Sequence, residues 1–378
     1  MNRTISKAVA GALLAVVAQS ACIGAERVAP KDFTDIQRVE LRNELPGRAI
    51  PYFIKADEGE RHLVAGMALS VMARGEDTGG LYEVMTWTGG KGAGLPLHSF
   101  TASHHALYLM DGQMELWLGG EHWMLNKGDY ASIPAGVPFA FTFRGHRTKL
   151  LNWSTGGSST GLMRTLGTPY SGHVQPETPP AALDPARLGQ TGSGGAMRWF
   201  GTPPPGKAKA VTNGVLPHTV RPYVLAAGEG ERFVAGDQLF TYLGNGQGSA
   251  GKFLAVMTEG PAGDMIPPHF HALHTEVFFP LDGTLNMIGN AQKLVAEPGD
   301  IVHIPAGTIH AYQMNKHYTR FIGFLTPGVF DDFFRTIGDP YQPAVFPQKP
   351  GPLRFDRIMK KIDQLDLYLV GAGKPDQR

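Results

Sequence analysis

Cysteine is almost missing from this chain of 378 residues: Cys22 is the single one, so no intramolecular disulfide can form. Stability must therefore come from packing or a bound ion, even in a compartment that permits bridges. An excess of charge of one sign is missing too. With 34 basic and 33 acidic residues the net charge is +1, which leaves no electrostatic footprint for nucleic acid or an anionic membrane. Long apolar runs are confined to residues 8–18, too short for a comfortable membrane span. Helix-length amphipathic stretches are scarce, whereas Gly (49) and Pro (29) make up about a fifth of the chain. That balance favours strands and turns, and 42% apolar residues suffice for the cores of two ordinary domains.

Arg3 and Lys7 precede the apolar run and small residues follow it, the order of a secretory signal peptide. Cleavage after Ala25 assigns residues 1–25 to the leader, makes the protein secreted or periplasmic, and leaves the mature chain without cysteine. A lesser reading makes Cys22 the lipid-bearing residue of a bacterial lipoprotein, the one route to a membrane here; Gln19 fits that pattern poorly.

An internal repeat organises the rest. "PYFIKADEGERHLVAG" from Pro51 aligns with "PYVLAAGEGERFVAG" from Pro222, an offset of 171 residues. The same offset relates His98 to His269, Gly112 to Gly283, "GDYASIPAG" to "GDIVHIPAG", and "RTLGTPY" to "RTIGDPY". The chain reads as a duplicated domain, with copies at 36–190 and 216–378. A Gly-, Pro- and Ser-dense connector occupies 191–215. Short apolar or alternating runs separated by Gly turns make each copy all-β. "VFDDFFRTIG" and "LRFDRIMKKIDQLDLYL" are expected to be peripheral helices. "GGKGAGLP" is a turn and lacks the context of a phosphate loop.

The chemistry concentrates in "PPHFHALHTEVFFPLDG", Pro267 to Gly283. In a strand His269 and His271 point the same way. Glu276 follows shortly, and "PGDIVHIPAGTIHAYQ" adds His310. Three imidazoles and a carboxylate make a first shell suited to a divalent transition metal. His274 is expected to turn away from the ion, with a supporting role behind it as the alternative.

The spacing from Gly263 to Gly283 matches the first motif of the cupin family, and Gly299 to His310 matches the second, with Met314 in place of the pattern's closing Asn. The chain thus resembles a bicupin, two tandem jelly-roll β-barrels. The resemblance implies His269, His271, Glu276 and His310 as metal ligands. The longer string H-x-H-x-x-H-x-E-x-F-F and the "PYVLAAGEGERFVAGDQLF" opening resemble the quercetin 2,3-dioxygenases. That implies one divalent ion per chain (copper, iron, manganese, nickel or cobalt), O2, and a flavonol or related phenol whose heterocycle is cleaved with loss of carbon monoxide. Glu276, its pKa raised in a dry pocket, would be the general base. Phe278 and Tyr312 would offer flat walls, with Tyr242 and Met257 as looser pocket candidates.

In the first copy the positions equivalent to the four ligands hold His98, Phe100, His105 and Phe139. Two donors have become phenyl rings, so this copy is expected to be metal-free and to serve the fold. An oxalate decarboxylase-like bicupin is the competing enzyme reading, but "GDMIPPHFH" offers no basic residue for a dicarboxylate. A binding or storage bicupin is the non-enzymatic alternative, and such proteins lose the ligands that are kept here. Oligomeric state is left open, a homodimer included.

Overall fold

A computed structural model describes residues 32–176, 181–349 and 351–371. The expected leader over 1–25, Cys22 included, lies outside the described residues, and no described helix is long and apolar enough to cross a membrane. The protein is mostly β, with few helices. Among the described residues there are four sheets, two per copy. In each copy a large and a small sheet, antiparallel except for the edge pair Lys209–Ala210 with Glu121–Asn126, face each other around an apolar core. In the second copy the small sheet runs Gln292–Ala296, Leu285–Gly289, His310–Met314, His269–Phe270 and Tyr368–Leu369. Leu285–Gly289 alternates buried and half-buried residues, the period of a strand with one face on the core. The turn before it, which carries the chain from the large sheet into the small one, lies at Gly283, with φ at +67° and no room for a Cβ, which would lie 2.5 Å from the Tyr318 carbonyl oxygen.

The copies exchange their first strands. Tyr52–Ile54 pairs antiparallel with Ile301–Ile304 of the second barrel, and Tyr223–Leu225 pairs with Tyr130–Ile133 of the first. These pairings are related by the 171-residue offset, so the exchange is reciprocal. One apolar core runs across the junction, from Tyr52 and Trp153 to Phe253 and Phe324. Asn152, part of an Asn-Trp-Ser sequon, is buried inside the first barrel, where its amide contacts His105, so the folded protein closes that site to glycosylation.

The repeat extends further than its sequence period shows. Within the connector at 191–215, Met197–Gly201 pairs with the strand Gly94–Phe100, and Lys209–Ala210 joins Glu121–Asn126. Helix Pro185–Ser193, capped by the Asp184 carboxylate, precedes the first of these strands just as helix Phe355–Lys361 precedes Tyr368–Leu369. The first copy therefore continues to about Gly201, because its last edge strand follows the Gly-rich stretch. The first expected helix forms at Asp331–Ile337; the second forms only over Phe355–Lys361, with a 3-10 turn at Ile362–Gln364, and the end of that run, Tyr368–Leu369, is a strand because it pairs with His269–Phe270. Residues 33–41 lie against the second barrel, where Asn290 Nδ2 donates to the carbonyls of Ile36 and Val39.

Candidate metal centre

Pro267 and Pro268 cannot donate to a ladder, and the short strand His269–Phe270 starts directly after them. His269 sits opposite His310, the first residue of its own strand. Gly307 makes this possible. Its N–H donates to the His271 carbonyl at 2.6 Å, its φ is +88°, and a Cβ there would collide with Phe33. Glu276 enters from the large sheet, paired with Ile304 and Leu325. The site thus lies between the sheets, with imidazoles from one side and a carboxylate from the other.

His269, His271, Glu276 and His310 each aim one ligand atom at a common point, and these atoms all lie within 4.8 Å of one another. The His310 Nε2 is 3.1 Å and the His271 Nε2 3.3 Å from Glu276 Oε2, the latter without hydrogen-bonding direction. Each histidine is fixed through its other nitrogen. Nδ1 of His269 donates to the Pro267 carbonyl at 2.8 Å, that of His310 to Thr308 at 3.0 Å and that of His271 to Asp366 at 2.6 Å. This turns Nε2 of all three toward the cluster, where their lone pairs would converge on a bound ion, the arrangement metal-ligating histidines adopt. Burial, reinforced by His310 and His271, lowers the His269 pKa well below the ordinary value, so it stays neutral and able to bind an ion. The donor set fits a divalent transition metal.

Glu276 departs from the sequence expectation of a raised pKa. Burial does push it up, but the adjacent His271 and His310 outweigh that and hold the carboxyl well below the usual range in the metal-free protein. The side chain is an ionised carboxylate there, ready to ligate or to accept a proton.

A cavity of about 60 Å³ adjoins the cluster, walled by Phe240, Ile266, Phe330, Phe333, Phe334 and Leu353. Tyr312 lines it and donates to Gln238 Oε1 at 2.7 Å. The other pocket candidates sit elsewhere. Phe278 is fully buried behind the site, packed on Tyr312 and Phe321 in the core of the barrel. Tyr242 lies behind Phe334, its hydroxyl 2.6 Å from Asp331 Oδ1. Met257 points to the other face of its sheet and lines a separate cleft with Tyr108, Glu259 and Arg320. Strand alternation explains that placement, since its cross-strand partner Thr241 faces the cleft while Phe240 faces the site. Sequence reasoning missed Gln238, Asp366 and the Phe330–Phe334 wall. The "VFDDFF" run was the available signal for the wall, and it read only as a helix.

In the first copy, the His98 ring lies 4.2 Å from that of Phe139, and Phe100 lies 4.2 Å from His105. The two phenyl rings fill the barrel centre and leave about 10 Å³. His274 stacks on His271 at 4.1 Å, and its Nδ1 donates to Asp366 Oδ2 at 2.8 Å.

The Cupin domain family matches residues 85–153 and 255–319, one segment in each copy. The chain is 39% identical to the quercetin 2,3-dioxygenase of Bacillus subtilis over 329 residues, 87% of this chain and 98% of that protein. It is 32% identical to the quercetin 2,3-dioxygenase of Aspergillus japonicus over 130 residues, 32% of this chain and 37% of that one. Among solved structures, an oxalate decarboxylase from Bacillus subtilis superposes with a TM-score of 0.50 at 13% identity, over 73% of this chain and 77% of the other, a likeness of fold alone. Duplicated barrels, a converging His3Glu cluster and close identity over nearly the whole of the Bacillus protein agree: the chain is a bicupin enzyme and belongs to the cupin dioxygenases of the quercetin 2,3-dioxygenase family.

Proposed function

We propose that the protein is a metal-dependent dioxygenase that opens the heterocycle of a flavonol or a closely related phenol with O2, giving a ring-opened ester and carbon monoxide. The observation that carries this reading is an aromatic-walled cavity adjoining the His269–His271–Glu276–His310 cluster. Its lining holds one acidic residue, Glu276, and no Lys or Arg. A planar apolar phenol suits such a wall, whereas a small dicarboxylate calls for a cation.

His269, His271, Glu276 and His310 would hold one divalent ion. Bound there, it would supply Lewis-acid stabilisation of a phenolate and orient the reactants. The chain's own groups do the rest. Glu276 is ionised and accepts the proton of the phenol's acidic hydroxyl at Oε1 or Oε2. Tyr312, kept protonated by burial and tied to Gln238, can turn its hydroxyl to a substrate oxygen. Phe330, Phe333 and Phe334 exclude water and stack on flat rings. The leader-like residues 1–25 support export before the enzyme acts.

Oxygen uptake and carbon monoxide release are measured with quercetin on metal-loaded protein. Equimolar consumption and release are expected, lost in Glu276→Ala. Carbon dioxide from oxalate without net oxygen uptake would overturn the reading.

A further inference from the structure

The three imidazoles of the cluster are not aimed in the same way. His269 and His310 each anchor Nδ1 on the carbonyl two residues earlier, so their orientation is built into their own strands. His271 has no such local anchor. Its Nδ1 donates to the carbonyl of Asp366, 95 positions away on the C-terminal segment.

That carbonyl stays in place through the side chain of the same residue. The Asp366 carboxylate, only 3% exposed, accepts from Ala272 N at 2.7 Å, Leu273 N at 2.9 Å and His274 Nδ1 at 2.8 Å. The His274 ring in turn stacks 4.1 Å from the His271 ring, and Phe330 closes over both at 4.6 and 4.7 Å. Leu365 and Leu367 are buried on either side, and Tyr368–Leu369 adds an edge strand to His269–Phe270. One aspartate therefore fastens the loop between two ligands to the end of the chain.

We propose that Asp366 is a positioning residue for the metal centre: with His274 it clips the C-terminal segment to loop 271–274 and so holds His271 in its ligating tautomer and direction. The proposal rests on the metal-centre reading above. Asparagine at 366 keeps size and shape but turns one acceptor into an NH2 group. Whichever way the amide faces, a backbone N–H of Ala272 or Leu273 then meets a donor.

Protein freed of metal by chelation is titrated with Co2+, following affinity by calorimetry and the ligand environment by the visible Co2+ spectrum. Asp366→Asn is expected to weaken Co2+ binding by about 10- to 100-fold, the usual effect of removing a partner behind a ligating histidine, and to change the spectrum. His274→Phe keeps the stacked ring and the backbone clip, so it covers the case of an Asp366→Asn protein that does not fold. A loss near the lower end of that range, about tenfold, is expected for it. Asp300→Asn is the control, because Asp300 likewise accepts from two backbone amides, Ala56 N and Glu297 N, but at the junction of the barrels. It should retain wild-type affinity and spectrum even where its melting temperature falls as far.

Wild-type affinity in both Asp366→Asn and His274→Phe would overturn the proposal alone. Equal losses in Asp366→Asn and Asp300→Asn would also overturn it, in favour of a purely structural role. A wild-type protein that takes up no Co2+ would overturn the metal centre itself. Flavonol turnover enters none of these readouts.

Discussion

Trp153 and Phe324 occupy equivalent positions in the two copies, 171 residues apart, and stack directly on each other with ring centroids at 4.3 Å and planes 5° apart. Tyr82 continues the stack on the other face of Trp153 at 4.0 Å and also hydrogen-bonds His303 of the second copy. The repeat thus packs against itself at its own symmetry axis. Both outer strands of the junction are exchanged, so neither barrel completes its large sheet without the other.

Trp153→Ala should therefore destabilise the whole chain by about 3–5 kcal/mol, the cost of emptying a large aromatic site. Trp153→Phe should cost far less. It keeps a ring on Phe324 and removes a buried indole N–H that has no hydrogen-bond partner among the described residues. Urea unfolding of the two variants checks this, and equal losses in both would show that the stack is not what matters.

The first copy retains buried imidazoles, His98 and His105, at its centre. Burial, with His98 adding to it, lowers the His105 pKa to about 3, and burial lowers that of His98 to about 4. Above pH 6.5 these groups are neutral in both folded and unfolded chains. Below it the unfolded chain gains protons that the folded chain refuses, so stability falls by roughly 1.4 kcal/mol per pH unit per histidine until the folded pKa is reached. His105→Leu should flatten the decline between pH 6 and pH 4 by about that slope. Denaturant midpoints across this range read it directly, and an unchanged slope would mean that His105 is charged in the folded protein.

Much of this was legible in the sequence, for reasons that separate cleanly. The ligands could be read because coordination constrains residue type and spacing together: His269, His271 and Glu276 sit on one short stretch, and the turn at Gly307 fixes where His310 begins. The exchange of Tyr52–Ile54 and Tyr223–Leu225 could not, since an apolar strand carries no label for the barrel it joins. Met257 was misplaced by one residue of strand parity, which decides the face entirely. Asp366 was invisible because its role depends on a contact across more than 90 residues, and an aspartate in a helical-looking segment reads as solvated. Glu276 shows the same limit in electrostatics. Burial can be guessed from apolar neighbours, but the winning contribution came from two imidazoles whose approach only the fold shows.

Metal content should follow the second copy alone. His310→Ala removes one of four donors and should lower metal retained after dialysis by more than tenfold, in line with losing a group bonded directly to the ion. His98→Ala, at the equivalent end of the first barrel, should leave it unchanged, because Phe100 and Phe139 occupy the space and two donors are absent. Elemental analysis of both variants and the wild type decides the point. About two ions per wild-type chain would refute a metal-free first copy.

A cavity of about 60 Å³ cannot admit a three-ring phenol, since sites for ligands of that size span a few hundred cubic ångströms. The wall that must yield is helix Asp331–Ile337 with Leu353. Within it Phe334 is locked, packed edge-on against Phe240 at 5.0 Å and Tyr242 at 5.9 Å. Phe333 is half-buried and held chiefly by its stack on Phe330 at 4.6 Å, so it is the part that can swing outward. Phe333→Ala should therefore raise the association rate of a flavonol by about tenfold, toward the ordinary range for unhindered binding. Phe334→Ala should instead lower stability by about 3–5 kcal/mol. Stopped-flow fluorescence of quercetin with metal-free protein separates opening from chemistry. Association equally fast in the wild type and Phe333→Ala would place the entrance elsewhere.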